Sequence, residues 1–358
     1  MRGRNAQADV FQTGSLTLRI VDQTAAFNPQ NTAGPYFGLL QPMRKVAISG
    51  TYAGITYPMF SGFITSYTTT TPKDVGEVVY TTLTAIDSFR LAQNAQIATV
   101  AGTSAGQLTG ARINNLLDAI SWPSSMRDID AGLTTLQADP GSARTALGAM
   151  QTVTLSEYGA LYVDAIGQFV FQDRTVTSTS VNATPVLFND DGTNIAYFNA
   201  VWRLDDTQVY NSAQITATGL TTQSASNQAS IDKYFLHSYN QQGLLMQSNV
   251  EALNYAQAYV ASRQETSIRC DAIELNLYQY STDPGPIAAL DLDFFDPVTI
   301  TTTQPGGSSL VKTLQVFGVA HNVTPNSWRT TLTTLEPIID SFILDSLYGI
   351  LDTSVLSY

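Results

Sequence analysis

Apolar residues recur at every second position over most of this chain. In "SLTLRIVD" (15–22), Leu16, Leu18 and Ile20 fall on one face while Ser15, Thr17 and Arg19 fall on the other, the period of a half-buried strand. "RKVAISG", "ITYPMFSGFITSYTTTT" and "GEVVYTTLTAID" continue the pattern in β-branched and aromatic residues, punctuated by Gly50, Gly54, Gly62, Pro72 and Gly76. Residues 1–88 are therefore expected to form a first strand meander that closes into a small barrel or sandwich. The period changes at Asp87. "DSFRLAQNAQIA" (87–98) reads as a helix capped by Asp87. "GQLTGARINNLLDAISWP" (106–123) puts Leu108, Ile113, Leu116, Leu117 and Ile120 on one helical face before Pro123, and "SARTALGAM" (142–150) reads as a third helix capped by Ser142. "YGALYVDAIGQFVFQDR" (158–174) predicts a hairpin turning at 165–168. Residues 89–180 thus form a compact α+β unit.

Alternation returns in the second half. "AYFNAVWRLDDTQVYNSAQITAT" (196–218) reads as one long strand, with further strands at "SIRCDAIELNLYQ", "DPVTITTTQ", "SLVKTLQVFGVAHNVTP" and "SWRTTLTTLEP". Between them "NVEALNYAQAYVASRQE" (249–265) is helical, with Asn249 as cap and a stripe of Leu253, Tyr255, Ala256, Tyr259 and Val260. A second β-barrel or sandwich is expected over 186–337, interrupted by this helix. The last stretch, 338–358, contains "ILDSLYG" followed by "ILDTSVL", which fits either an amphipathic helix or extended apolar segments. The fold class is mainly β, α+β overall: two β-barrel or sandwich units bracketing a small α+β unit.

Composition narrows what such a fold can do. Apolar residues are 44% of the 358, enough for substantial cores, but charged residues are only 13%, about half the usual share. Lys plus Arg number 17 against 29 Asp plus Glu, a net charge of −12. That balance repels phosphate, so neither specific nucleic-acid binding nor an anionic membrane surface suits the chain. Cys270 stands alone, which excludes an intrachain disulfide and a cysteine-based metal site. "MRGRNAQADVF" has no apolar core of a signal peptide, and "SFILDSLYGIL" (341–351) is short and carries Asp345, so neither export nor membrane insertion is expected.

Candidate chemistry is sparse. The histidines are His237 and His321; no G-x-S-x-G surrounds a serine, and both imidazoles read as structural. The carboxylates of "DLDFFD" (Asp291, Asp293, Asp296) lack the glycine-punctuated spacing of a calcium loop and read as the solvated face of a strand. "NDDG" (189–192) is a turn, and the sequons "NAT" (182–184) and "NVT" (322–324) mean nothing without secretion. Trp122, Trp202 and Trp328, with 17 tyrosines and 15 phenylalanines, read as core or interface ahead of a sugar site. No catalytic, cofactor or metal residues are assigned, and no enzyme activity is expected. What stands out is "NPQNTAGPYFGLLQPMRKVAI" (28–48), a turn-rich loop with Tyr36 and Phe37 beside Gly34-Pro35. A restricted backbone holding two aromatics suits docking, because little entropy is lost when a partner binds.

The chain resembles a known family. "GSLTLRIVDQTAAFNPQNTAGPYFGLLQPMRKVAI…GITYPMFSGFI" is similar to the N-terminal segment of minor tail proteins of long, non-contractile-tailed bacteriophages: a strand, an F-(N/D)-P-x-N turn, a G-P-Y loop, then P-M-R (ending at Arg44) leading into a strand. "LTAIDSF" (83–89), "LLDAISWP" (116–123), "ALYVDAIGQFVFQDR" (160–174), "VYNSAQIT" (209–216), "FGVAHNVTPNSWRTTL" (317–332) and "FILDSLYGILDTSVL" (342–356) follow in the family's order. The resemblance implies a tail-tip or baseplate hub, a homotrimeric ring of two related β-barrels with smaller insertions. Its partners would be the distal tail or tube protein, the tape measure and tip or fibre proteins, within a virion assembled in the host cytoplasm. It also implies strand residues ahead of Arg2, so that either the first barrel lacks a strand, or a neighbour supplies it, or the start of the sequence is misassigned. Interface residues are expected at Tyr36, Phe37 and Arg44, and in the C-terminal segment at Phe342, Ile343, Leu347, Ile350 and Leu351. A receptor- or glycan-binding tail adhesin is the alternative, and a tail glycosidase with a carboxylate pair a third.

Overall fold

The computed structural model describes residues 1–4, 10–70, 78–176, 183–277 and 284–336. The N-terminal strands pair antiparallel in the order Ser15–Val21, Tyr80–Ile86, Ile55–Thr70, Lys45–Tyr52. Ala53 and Gly54 both take positive φ (50° and 83°), the tight hairpin turn that matches strand twist. The alternation does what it predicts: Leu16, Leu18, Ile20, Val46 and Ile48 share a face with the buried Phe60, Ile64, Leu83 and Ala85. That core is small, and the first five side chains remain half-buried.

The C-terminal sheet follows the path Ile195–Ala196, Val186–Asn189, Pro297–Thr303, Ser309–Thr324, Ser327–Leu335, Arg269–Asn276, Asn199–Arg203. Its two ends are separated in sequence only by Tyr197 and Phe198. A sheet whose first and last strands are joined by two residues has curled until its ends meet. Side chains complete the closure: the Tyr197 hydroxyl donates to the Thr301 carbonyl (3.2 Å), and Trp202 Nε1 donates to Thr302 Oγ1 (2.9 Å). Val298, Ile300, Leu314, Val316, Ile273 and Leu332 fill the interior.

Between the two lies the α+β unit. Helices Phe89–Asn94, Thr109–Ala119 and Ala146–Glu157 cover a sheet of Ala160–Val163, Phe169–Gln172 and Arg127–Ile129. The 158–174 hairpin forms as read from the sequence. The third helix is not 142–150: Thr145, not Ser142, caps it by accepting the Gly148 N–H at 3.0 Å, and it runs on to Glu157. Its last residue explains the extension. The Glu157 carboxylate is buried and accepts from Thr109 Oγ1 (2.9 Å) and Thr134 N (2.7 Å), tying this helix to the one before it.

The expected strand 196–218 is two strands, Asn199–Arg203 in the barrel and Ser212–Ala217 in a separate sheet with Gln223–Ser226 and Ser238–Leu244. Helix Asn249–Ala261 packs on this sheet through Tyr255, Ala256 and Tyr259, so the barrel is interrupted by a lobe with its own core rather than by a lone helix. Ser248, one residue before Asn249, caps that helix in a reciprocal box with Glu251.

The N-terminus crosses between these parts. Arg2–Gly3, placed with the first unit by the sequence pattern, pairs with Val319 and Gly318 of the barrel, and Ser15 N donates to the Met1 carbonyl (2.9 Å). A Cβ on Gly3 would lie 2.3 Å from the Phe317 carbonyl oxygen and 2.4 Å from Gly318 Cα, and its φ of 129° suits glycine alone. Gly3→Ala is therefore expected to lower unfolding free energy by roughly 2–4 kcal/mol, read by urea denaturation; a change below about 0.5 kcal/mol would mean this strand contributes little.

Candidate functional site

The loop singled out in the sequence is a train of turns. Backbone N–H groups of Asn28, Asn31, Gly34 and Phe37 donate in succession to the carbonyls of Ala25, Asn28, Asn31 and Gly34, at 2.9–3.3 Å, and Leu39 N donates to Tyr36 O (2.9 Å). Asp22 anchors the base: its buried carboxylate accepts from Ala26 N (2.7 Å), Phe27 N (3.0 Å) and Thr81 Oγ1 (2.8 Å). Asn31 closes the middle by donating to the Ala25 carbonyl (3.0 Å). Each turn begins where the previous one ends, so the loop is held by its own backbone, and this rigidity owes more to asparagine and aspartate than to Gly34-Pro35.

At its tip Tyr36 is 42% exposed and Phe37 51%, with Leu39 and Met43 exposed beside them. Tyr36 leans on Phe27, ring centroids 5.3 Å apart. Arg44 is exposed and bonds through Nε to the Leu39 carbonyl (3.2 Å), so the structure gathers Tyr36, Phe37 and Arg44 on one loop. Phe342, Ile343, Leu347, Ile350 and Leu351 lie outside the described residues.

The titratable candidates are occupied with structure. Among the described residues no group of three metal-ligating side chains comes together. "DLDFFD" is not a strand face: helix Gly285–Asp291 ends there and a turn follows, with Phe295 at φ 69° and Phe294 and Phe295 buried. Asp293 pairs with Arg2 at 3.0 Å, and Asp296 accepts the Asp293 N–H (2.8 Å). His237 Nε2 lies 3.0 Å from the Tyr234 carbonyl, a local contact. His321 contacts Thr330 Oγ1 through Nδ1 (2.9 Å); burial, with the amino end of the chain and Arg2 nearby, pushes its pKa down to about 4. Asp87 moves the other way: burial pushes its carboxyl up to about 6, although it accepts the N–H of Gly14 and of Phe89.

Two exposed residues carried no signal in the sequence. Phe235 is 83% exposed and Leu236 63%, on the turn after helix Gln228–Tyr234. An aromatic next to a helix end reads as core when only periodicity is available.

No protein-family model matches this chain, and no curated protein sequence matches it. Solved structures do. The 43 kDa tail protein of prophage MuSo2 from Shewanella oneidensis superposes with a TM-score of 0.55 at 9% identity, over 94% of this chain and 92% of its own. The tail protein from Neisseria meningitidis MC58 gives a TM-score of 0.53 at 13% identity, over 81% and 83%. At such identities the fold is what is shared: this chain has the fold of these tail proteins, mainly β with several sheets.

The neutral His321 sets a pH signature. Its folded pKa lies below the ordinary value, so the unfolded chain binds the extra proton and stability falls as pH drops from about 6.5 toward 4. His321→Gln removes that loss. The variant is expected to gain on the wild type steadily over this range in urea midpoints; a pH-independent difference would show that His321 does not titrate this way.

Proposed function

We propose that this chain is a structural subunit of a phage tail tip, a ring-forming hub that surrounds the DNA exit channel as a homotrimer. It joins the end of the tail tube to distal tip or fibre proteins. The observation that carries this reading is the train of turns at 25–39, which is rigid, ends in exposed Tyr36, Phe37 and Leu39, and holds no chemistry. A preorganised loop with aromatic anchors is how interfaces gain affinity without a large ordering cost. The fold shared with solved tail proteins over nearly the whole chain supports the setting.

Charge supports the channel. A net −12 per copy repels the phosphates of passing DNA, where a basic lining would retain them. The partners are other copies, the distal tail or tube protein, the tape measure and tip or fibre proteins, in a virion assembled in the host cytoplasm. No catalytic step, cofactor or membrane contact belongs to this role.

Residues 338–358 are assigned to docking. The last barrel strand ends at Leu335, and the barrel is already joined end to end through Tyr197 and Phe198, so nothing in its closure calls for Phe342, Ile343, Leu347, Ile350 and Leu351. Burying such side chains is worth roughly 1.5–3 kcal/mol each before ordering costs.

In an extract of tails lacking this chain, added wild-type protein is expected to restore infectious particles. The variant Tyr36→Ser/Phe37→Ser should lose roughly 2–4 kcal/mol of association with unchanged thermal unfolding. A lower melting temperature with assembly intact would put the loop in the chain's own core. Truncation after Glu336 is expected to leave a folded chain that no longer joins the tail; an aggregated product would assign the segment to the chain's own barrel.

A further inference from the structure

The loop that carries Tyr36 and Phe37 sits in a local inversion of charge. The chain has a net −12, yet residues 23–45 include no aspartate or glutamate and end in Arg44 and Lys45, both exposed. The inversion extends to the unit around the loop. Its described residues, 10–70 and 78–87, expose Arg19, Arg44 and Lys45, while their two acids, Asp22 and Asp87, are buried. Asp22 accepts from Ala26, Phe27 and Thr81, and Asp87 from Gly14 and Phe89. None of the ion pairs among the described residues involves Arg19, Arg44 or Lys45.

Arg44 is also held in place. Its backbone is fixed to the sheet, with Met43 N donating to the Ile64 carbonyl (2.7 Å) and Ile64 N to the Arg44 carbonyl (2.9 Å). Its side chain is fixed to the loop, where Nε donates to the Leu39 carbonyl (3.2 Å). Leu39 is 58% exposed and Met43 42%, so the guanidinium stands at the edge of an outward apolar group. That arrangement matches a carboxylate at the rim of an apolar seat. Charge of one sign over a whole unit also acts before contact, by steering the approach of an opposite surface.

We propose that the 28–48 loop docks on a protein whose receiving surface is an apolar seat edged by carboxylates, one of which pairs with Arg44. This rests on the docking reading given above for Tyr36 and Phe37 and names the chemistry of what they meet. A basic or uncharged seat would strip water from the Arg44 guanidinium without giving it a partner.

The test is the rate at which the purified full chain joins tails that lack it, at low and high salt. Wild-type incorporation is expected to slow about tenfold between about 0.03 and 0.3 M salt, because screening shortens the reach of the field. Arg44→Gln/Lys45→Gln should slow it about tenfold at low salt and remove most of the salt dependence, with the melting temperature unchanged. Lys45→Gln alone leaves the Arg44–Leu39 bond intact and should slow it about threefold. Arg44→Glu/Lys45→Glu should slow it about 100-fold. Charge variants that join at the wild-type rate at every salt overturn the proposal, as does incorporation that quickens with salt. Wild-type binding to phosphatidylserine vesicles, with incorporation blind to the charge variants, would assign the cations to a membrane and overturn it too. If Tyr36→Ser/Phe37→Ser fails to join while the charge variants join normally, the docking reading stands and the acidic seat does not. If all the variants join normally, both fall.

Discussion

Arg2 and Arg4 are kept out of water between aromatic rings, and the joining of the parts depends on it. Both are 7% exposed. Arg2 lies over Phe294 with its charge met by Asp293, while Arg4 lies over Phe11 and Phe317 at 4.9 and 4.4 Å. Removing a guanidinium from water costs several kcal/mol, which ring faces, a carboxylate and backbone pairing together can offset but none alone. The rings in turn come from separate places in the chain. Phe11 touches Tyr162 of the α+β unit (5.2 Å) and Phe294 of the barrel entrance (5.0 Å), so one cluster fastens three units. Burial there raises the Tyr162 hydroxyl's pKa, keeping it neutral. Gly3 and Gly318 supply the close backbone approach that brings the arginines in.

Much of the architecture could be read locally. Ile113, Leu116 and Leu117 mark the helix Thr109–Ala119 because burial follows its 3.6-residue period, and the 158–174 hairpin has alternation on both sides of a turn. The misses share a cause: each depended on partners distant in sequence. The pair Arg2–Asp293 spans 291 residues, and an arginine considered alone reads as exposed. Within 196–218 the alternation is broken by the polar run Asp205, Asp206, Thr207 and Gln208, a turn signal that the single-strand reading passes over, while nothing local says that the two strands enter different sheets. Asp293 and Asp296 read as a polar strand face because the helix that ends at Asp291 and the left-handed Phe295 are set by packing rather than period. The turn residues of 28–48 signal locally, and the structure puts Tyr36, Phe37 and Arg44, proposed for an interface, exposed on that loop. Phe235 gave no such signal, because its exposure follows from a clamp by Asn211, 24 residues away.

The same economy explains what the surface is for. Buried polar groups serve structure: Glu157 ties two helices, Asp22 starts a loop, Asn211 fixes a turn, and His321 stays neutral beside cations. Among the described residues, large apolar side chains are also held outward, at the loop tip (Tyr36, Phe37, Leu39) and on the lobe (Phe235, Leu236). On the proposed reading, these are the groups that a partner would cover.

Electron cryomicroscopy of the assembled particle tests that account most directly. It should show a closed ring of copies at the distal end of the tail tube, with Tyr36 and Phe37 buried against another chain. Isolated copies away from the tail axis, or a ring in which that loop faces solvent, would contradict it.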